Sequence, residues 1–254
     1  IVGFFTGLAS GATVVISQHY GAKQEDGVQK ALHTAYAFSV VGGIIISIMG
    51  ILITRPLLKL MNTPDNIIDL SATYLCIYFA GLVFVFIYTV GAGILRAVGD
   101  SRRPLYFLIL CCFINIVLDI ILIVFLKMGV AGAAIATTFS QGISAVMVTV
   151  TLCRTTDIFR LRVKKIRFHA QPMGMIVKIG LPAGLQSVMY SLSNVIIQSS
   201  LNTFGTETVA AWTAFSKIDA IYWMISGAFG IAITTFVGQN YGAGKFGRMK
   251  KSVY

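Results

Sequence analysis

Long apolar runs separated by short polar stretches make up almost the whole chain. Seven can be marked, at residues 1–17, 36–53, 74–94, 104–126, 129–152, 173–201 and 209–237. At about 1.5 Å rise per residue, runs of this length are membrane-spanning helices for a hydrocarbon core roughly 30 Å thick. Mostly short connections make consecutive helices antiparallel neighbours. The first run opens the chain without an initiator Met or a signal peptide, and the last stretch stops in a polar loop at Tyr254, so the sequence is expected to be part of a longer protein.

One run breaks the apolar pattern in an informative way. PLYFLILCCFINIVLDIILIVFL, residues 104–126, carries Asn115 and Asp119 deep inside it, four residues apart and therefore on one helical face. A carboxylate in hydrocarbon costs about 2.5–3.5 kcal/mol on insertion scales, so such groups face a bundle interior or a wet cavity. Two readings stand: a functional titratable site, or a carboxyl that only ties helices together.

Composition agrees with the pattern. Of 254 residues, 56% are hydrophobic and 11% charged, far below the roughly 25% charged content of soluble domains. The net charge of +11 sits between apolar runs rather than on a separate domain, which fits the positive-inside rule and needs no nucleic acid. Cys76, Cys111, Cys112 and Cys153 lie within or at the ends of the runs without CxxC spacing, and are expected to be free, buried thiols.

Charge also orients the chain. Sixteen of the twenty Lys and Arg residues fall on one alternate set of loops and run ends, around 23–30, 96–103, 154–178 and 245–251. That side is cytoplasmic, and the first helix runs from outside to inside. The most basic stretch, residues 153–172, interleaves Leu161, Val163, Ile166 and Phe168 with its charges. It is either a linker lying on the inner headgroup surface or an ordinary positive-inside loop. His19, His33 and His169 are scattered on the same side, and the sequence assigns them no chemistry.

An internal repeat sets the architecture. TVVISQHYGAKQEDGVQK at 13–30 aligns without gaps, at an offset of 221, with TTFVGQNYGAGKFGRMKK at 234–251, matching at six of 18 positions, four of them in Q-x-Y-G-A. Both copies leave an apolar run for a basic loop, six runs apart, which predicts a parallel repeat of six-helix halves about an axis along the membrane normal. The chain would then hold five helices of one half and two of the other, from a parent of twelve.

Candidate chemistry gathers at three places. Asp119 is eight residues before Lys127, and Thr137 is eight residues after Gly129, so each lies roughly 12 Å below the outer surface on neighbouring antiparallel helices. Asn115, Asp119 and Thr137 are therefore expected to line one pocket, with hard oxygen ligands suited to Na⁺ or a carboxyl suited to H⁺. In the run from 173 to 201, Pro182 between Gly180 and Gly184 predicts a kink or hinge. Gln186, Tyr190 and Asn194 follow as a polar stripe, either helix glue or the lining of a substrate pathway. In the last run Trp212, Lys217, Asp219, Tyr222 and Trp223 form a second polar and aromatic group. Lys217 and Asp219 are two apart, too far around the helix to pair, and need partners elsewhere; Asp219 suits either a bound organic cation or a salt bridge. The small-residue spacing at Gly3, Gly7 and Gly11 provides for close helix packing. GAGK at 242–245 is no P-loop, because Gln239 and Phe246 stand where Gly and Ser or Thr are needed, and no hydrolase signature is present.

These residues together resemble the multidrug and toxic compound extrusion (MATE) family, especially its bacterial DinF-like branch, over essentially the whole length. The resemblance rests on SQHYGAK at 17–23, GILRAVGDSRRP at 93–104, NIVLD at 115–119, GVAGAAIATTFSQ at 129–141, KIGLPAGLQS at 178–187 and VGQNYGAG at 237–244. It implies an all-α polytopic membrane protein, part of a twelve-helix transporter of two pseudo-symmetric lobes in the bacterial plasma (inner) membrane. Residues 1–153 would be helices 2–6 of the amino-terminal lobe, 154–172 the linker, and 173–254 helices 7–8. The resemblance also implies export of organic cations and other amphipathic compounds in exchange for H⁺ or Na⁺. The family's amino-lobe cation site, an Asn and an Asp four apart plus a Thr in the next helix, falls on Asn115, Asp119 and Thr137. A further acid of that site belongs to the family's first helix. Some members carry a Glu in the seventh helix, where this chain offers Gln186, Tyr190 and Asn194.

The expected protein is accordingly not an enzyme and takes no cofactor beyond its coupling ion. Its partners are a small organic substrate and the lipid bilayer, with no nucleic acid; its oligomeric state is left open. A flippase for lipid-linked oligosaccharides is the runner-up. It would want a more cationic cavity than Lys217 alone supplies. A channel or noncatalytic scaffold, which needs no titratable site, is the third class.

Overall fold

The computed structural model describes residues 2–60, 64–201 and 204–252. It is all helical among those residues, with eight α-helices: α1 (Val2–Gly21), α2 (Glu25–Leu60), α3 (Asp65–Ala97), α4 (Arg102–Asp119), α5 (Gly129–Arg154), α6 (Ala170–Leu201), α7 (Thr206–Gly242) and the short α8 (Phe246–Lys251). The first seven occupy the seven apolar runs. Six of them, α2 through α7, are long and apolar enough to cross a membrane, with α4 counted together with the turn that follows it.

The helices extend beyond the apolar runs because hydropathy marks only the part in hydrocarbon. α2 begins at Glu25, eleven residues before its run, where Glu25 and Asp26 favour the positive end of the helix dipole and Asp26 pairs with Lys30 at 2.6 Å. Between α3 and α4, Gly99 adopts a φ of +96° to end the first helix. Asp100 Oδ1 then accepts a hydrogen bond from the Arg103 amide at 3.2 Å, and Pro104 sits in the first turn, where no amide hydrogen is needed.

α2 packs on α3, α3 on α5, and α5 on α4. The buried core of this group, including Val28, Leu32, Leu95, Val148 and Leu152, lies toward the ends that carry most of the Lys and Arg residues. Both α6 and α7 lean on α1. The α1–α6 crossing is glycine against glycine: a Cβ at Gly11 would lie 2.5 Å from the Ile176 carbonyl oxygen, and one at Gly180 would lie 2.7 Å from Leu8 Cα. Gly7 and Gly11 thus find as partners the very Gly184 and Gly180 that flank Pro182, while Gly3 faces Ser187. α6 remains helical across Pro182.

The repeat predicted from sequence has an atomic counterpart. In the first copy the amides of Ala22, Lys23 and Gln24 donate to the carbonyls of Gln18, Tyr20 and His19; in the second, Ala243, Gly244 and Lys245 donate to Gln239, Tyr241 and Asn240. The left-handed residue that closes each turn is Lys23 at φ 57° and Gly244 at φ 67°, again 221 apart. Only the second copy has glycine where the backbone favours it. Lys23→Gly is therefore expected to stabilise the full-length protein by about 0.5–1 kcal/mol, read as a raised midpoint of thermal unfolding in detergent.

The two copies also touch. A Cβ at Gly21 would overlap the carbonyl of Gln239, and one at Gly242 would overlap the carbonyl of Gln18. Since Gln18 and Gln239 are themselves equivalent, residue i of one copy meets residue j of the other and the reverse, the signature of a two-fold contact. The contact lies between the carboxy-terminal ends of α1 and α7, which run parallel.

Candidate functional site

Asp119 is the last residue of α4, and the chain then loosens into a π-helical turn, Ile120–Phe125. The membrane-length helix expected over 104–126 is present as one 24-residue span to Phe125, and its last turn differs from the rest: an i→i+5 bond from the Leu126 amide to the Ile121 carbonyl at 2.9 Å widens the coil just after the acid. Such turns interrupt α-helices frequently at functional sites.

The inward face of α4 runs Pro104, Phe107, Cys111, Asn115, Asp119, buried at its start and half-buried at the two polar residues. Leu105, Phe113, Ile116 and Val117 lie exposed on the other side. Asp119 thus points toward the bundle, not toward lipid. Asn115 Nδ2 and Asp119 Oδ1 are both buried without a hydrogen-bond partner, a costly state for polar atoms in low dielectric. Thr137 is half-buried on α5, the helix against which α4 packs, and it makes no hydrogen bond to either of these two atoms. Among the described residues no three His, Cys, Asp or Glu side chains converge. One carboxylate with neutral oxygens around it suits a proton or a monovalent cation, and a rotation of the Asn115 amide would offer its oxygen.

The second predicted group is partly assembled. Tyr190 of α6 meets Trp223 of α7 edge-on at 5.9 Å between ring centroids. Trp223 Nε1 donates to Asp219 Oδ2 at 3.0 Å, so the expectation that Asp219 needs a partner on another helix is corrected: the indole one turn along α7 serves it. Gln186, Asn194 and Lys217 are exposed.

Sequence reasoning missed two features. Arg96, read only as an orienting charge, lines a 310 Å³ cavity between α1, α3 and α7 with the hydroxyl residues Thr6, Ser10, Thr13, Thr89 and Thr234. The three- and four-residue spacing of Thr6, Ser10 and Thr13 along one face of α1 was the available signal. The second feature is the segment after α5. It neither hangs free nor lies wholly on a surface: Phe159 and Leu161 are buried in the core, and Gln29 Nε2 donates to the carbonyls of Ile158 and Arg160.

His33 and His169 are not scattered but hold this strap down, which corrects their dismissal. His33 Nδ1 lies 2.7 Å from the Gln29 carbonyl, to which it donates, and Nε2 lies 3.1 Å from the Arg162 amide and 3.2 Å from the Arg162 carbonyl. His169 accepts from Arg167 Nε at Nε2 and shares Nδ1 with the Thr34 hydroxyl. Burial, followed by the charges of Arg167, Lys30 and His33, holds its pKa below the usual histidine value. Because the folded value is the lower one, the stability His169 contributes is complete above the unfolded value of about 6.5 and is lost as pH falls from there through the folded value. Trypsin, normalised to a reference peptide, is expected to cut residues 160–167 faster at about pH 5.5 than at about pH 7.5, and His169→Asn is expected to flatten the difference. Equal cutting at both values would contradict this role.

A family model described as MatE matches residues 1–121 and 182–254. The chain belongs to the MATE family. The probable multidrug resistance protein YoeA of Bacillus subtilis (strain 168) is 31% identical over 260 residues, covering 100% of this chain and 56% of that protein. YpnP of the same organism, also a probable multidrug resistance protein, is 30% identical over 250 residues, covering 96% and 54%. Among solved structures, an outward-facing conformation of a multidrug resistance MATE family transporter superposes with a TM-score of 0.90 at 25% identity, over 99% of this chain and 56% of that one. The chain thus spans a little over half the length of the relatives it matches. It is a multi-pass membrane chain of that family, with six helices among the described residues long and apolar enough to cross a bilayer.

Proposed function

We propose that the whole protein is a cation-coupled antiporter that exports organic cations, drugs or other amphipathic compounds by alternating access. The observation that carries this reading is Asp119: a carboxylate oxygen on the inward face of a membrane helix, buried, without a partner, and set immediately before a π-helical turn. Entry of H⁺ or Na⁺ from outside neutralises it, with Asn115 and Thr137 as the neutral oxygen donors in the sodium case, and favours one arrangement of the lobes. Substrate favours the other. The Tyr190–Trp223–Asp219 cluster, with Gln186, Asn194 and Lys217 nearby in sequence, faces the substrate, and Pro182 supplies the hinge. Backbone contact between α1 and α7 at their cytoplasmic ends is what a transporter closed to the cytoplasm needs. The relatives' names as multidrug resistance proteins agree.

The flippase reading has one observation in its favour, Arg96 in the hydroxyl-lined cavity. Efflux of an organic cation from proteoliposomes holding the full-length protein separates the two. Dependence on an imposed proton or sodium gradient supports the antiporter; gradient-independent movement of a lipid-linked sugar supports the flippase.

A further inference from the structure

The strap and the first turns of α2 enclose a cleft of about 750 Å³ on the cytoplasmic side. Lys30, Arg160, Arg162, Lys164, Lys165 and Arg167 line it, against the carboxylates of Glu25, Asp26 and Asp157. Part of this charge is engaged: Lys30 with Asp26, Arg160 Nε with the Cys153 carbonyl at 3.1 Å, and Arg167 Nε with His169. The side chains of Arg162, Lys164 and Lys165 are exposed and have no hydrogen bond or ion pair among the described residues.

A mobile basic loop spreads its charge over many positions. This one cannot, because the buried His33 and Thr34 fasten its backbone at Arg162 and His169, and Leu161 donates to the Leu152 carbonyl at 2.8 Å. The three free cations are therefore held around one concavity, the arrangement that charge-assisted hydrogen bonding to phosphate oxygens requires. Beside them Val163 is 63% exposed and Phe168 49% exposed. A soluble anion has no use for apolar flanks, whereas a headgroup carries acyl chains next to it.

We propose that this cleft binds a phosphoryl group, and that the group is the headgroup of an anionic phospholipid in the cytoplasmic leaflet. It lies outside the transport pathway described above and does not depend on it.

The test uses full-length protein in mixed micelles of phosphatidylcholine and phosphatidylglycerol at low ionic strength, with bound lipid counted by native mass spectrometry. Wild type is expected to retain phosphatidylglycerol in preference to phosphatidylcholine. Lys164→Gln with Lys165→Gln is expected to weaken that retention about thirtyfold, at about one step of surface attraction per charge, with an unchanged thermal midpoint because both side chains are exposed and unbonded. Lys250→Gln with Lys251→Gln on α8 removes equal charge and is expected to change nothing. Equal loss in the two double variants, or no preference between the lipids, overturns the proposal. A second arm adds inorganic pyrophosphate: displacement of the lipid supports the shared phosphoryl site, and pyrophosphate binding without displacement overturns the lipid assignment.

Discussion

Asp119→Asn in the full-length protein is expected to reduce gradient-driven efflux in proteoliposomes to the protein-free background, while leaving thermal stability unchanged or raised. The two readouts go together for a physical reason. A carboxyl that glued helices would be paired, and breaking a buried pair costs about 3–5 kcal/mol. Asp119 Oδ1 has no partner to lose, so the amide removes a desolvation cost and keeps the shape. What it also removes is the one carboxylate on the inward face of α4. Full coupling retained in the variant, or a large fall in stability with coupling intact, would return Asp119 to a structural role.

The parts of this molecule that were legible in the sequence are those set by local periodicity. Apolar runs gave seven helices because a bilayer filters for length and hydropathy, and the Asn115–Asp119 spacing gave one helical face because the α-helix has a fixed pitch. The doubled Q-x-Y-G-A gave the two-fold relation, since equal sequence at a helix end makes equal turns. What stayed hidden depends on partners distant in the chain. No local rule announces that Ile120–Phe125 winds as a π turn, and nothing in residues 153–172 says that His33, some 129 positions from Arg162, receives its amide. The small-residue spacing at Gly3, Gly7 and Gly11 predicted a close approach but could not name Gly180 and Gly184 as its other half. Asp219 was misjudged in the opposite sense: a partner was sought on another helix when the indole of Trp223 lay one turn away.

The crossing of α1 and α7 leads to the second large effect. Gly21→Val or Gly242→Val is expected to force the cytoplasmic ends of these helices apart, because the added atoms meet the carbonyl of Gln239 or Gln18 and not a side chain that can rotate away. Overpacking ordinarily costs about 1–3 kcal/mol, and backbone collisions lie at the upper end or beyond. The separation also breaks the hydrogen bond from Gln239 Nε2 to the Ala97 carbonyl, 2.7 Å long, which ties α7 to the end of α3. On the alternating-access reading proposed above, transport should fall with stability, since the two halves would lose the contact about which they reorient. The two-fold arrangement makes a sharper statement for the milder pair, Gly21→Ala and Gly242→Ala. Each methyl pushes the same two helices in the same direction, so the second enters a gap the first has already opened. The double variant should lose clearly less thermal stability than the two single losses added together, a coupling of neighbours through one shared displacement. Simple additivity would mean that the two glycines are independent packing defects and that the repeated motifs do not form one joint.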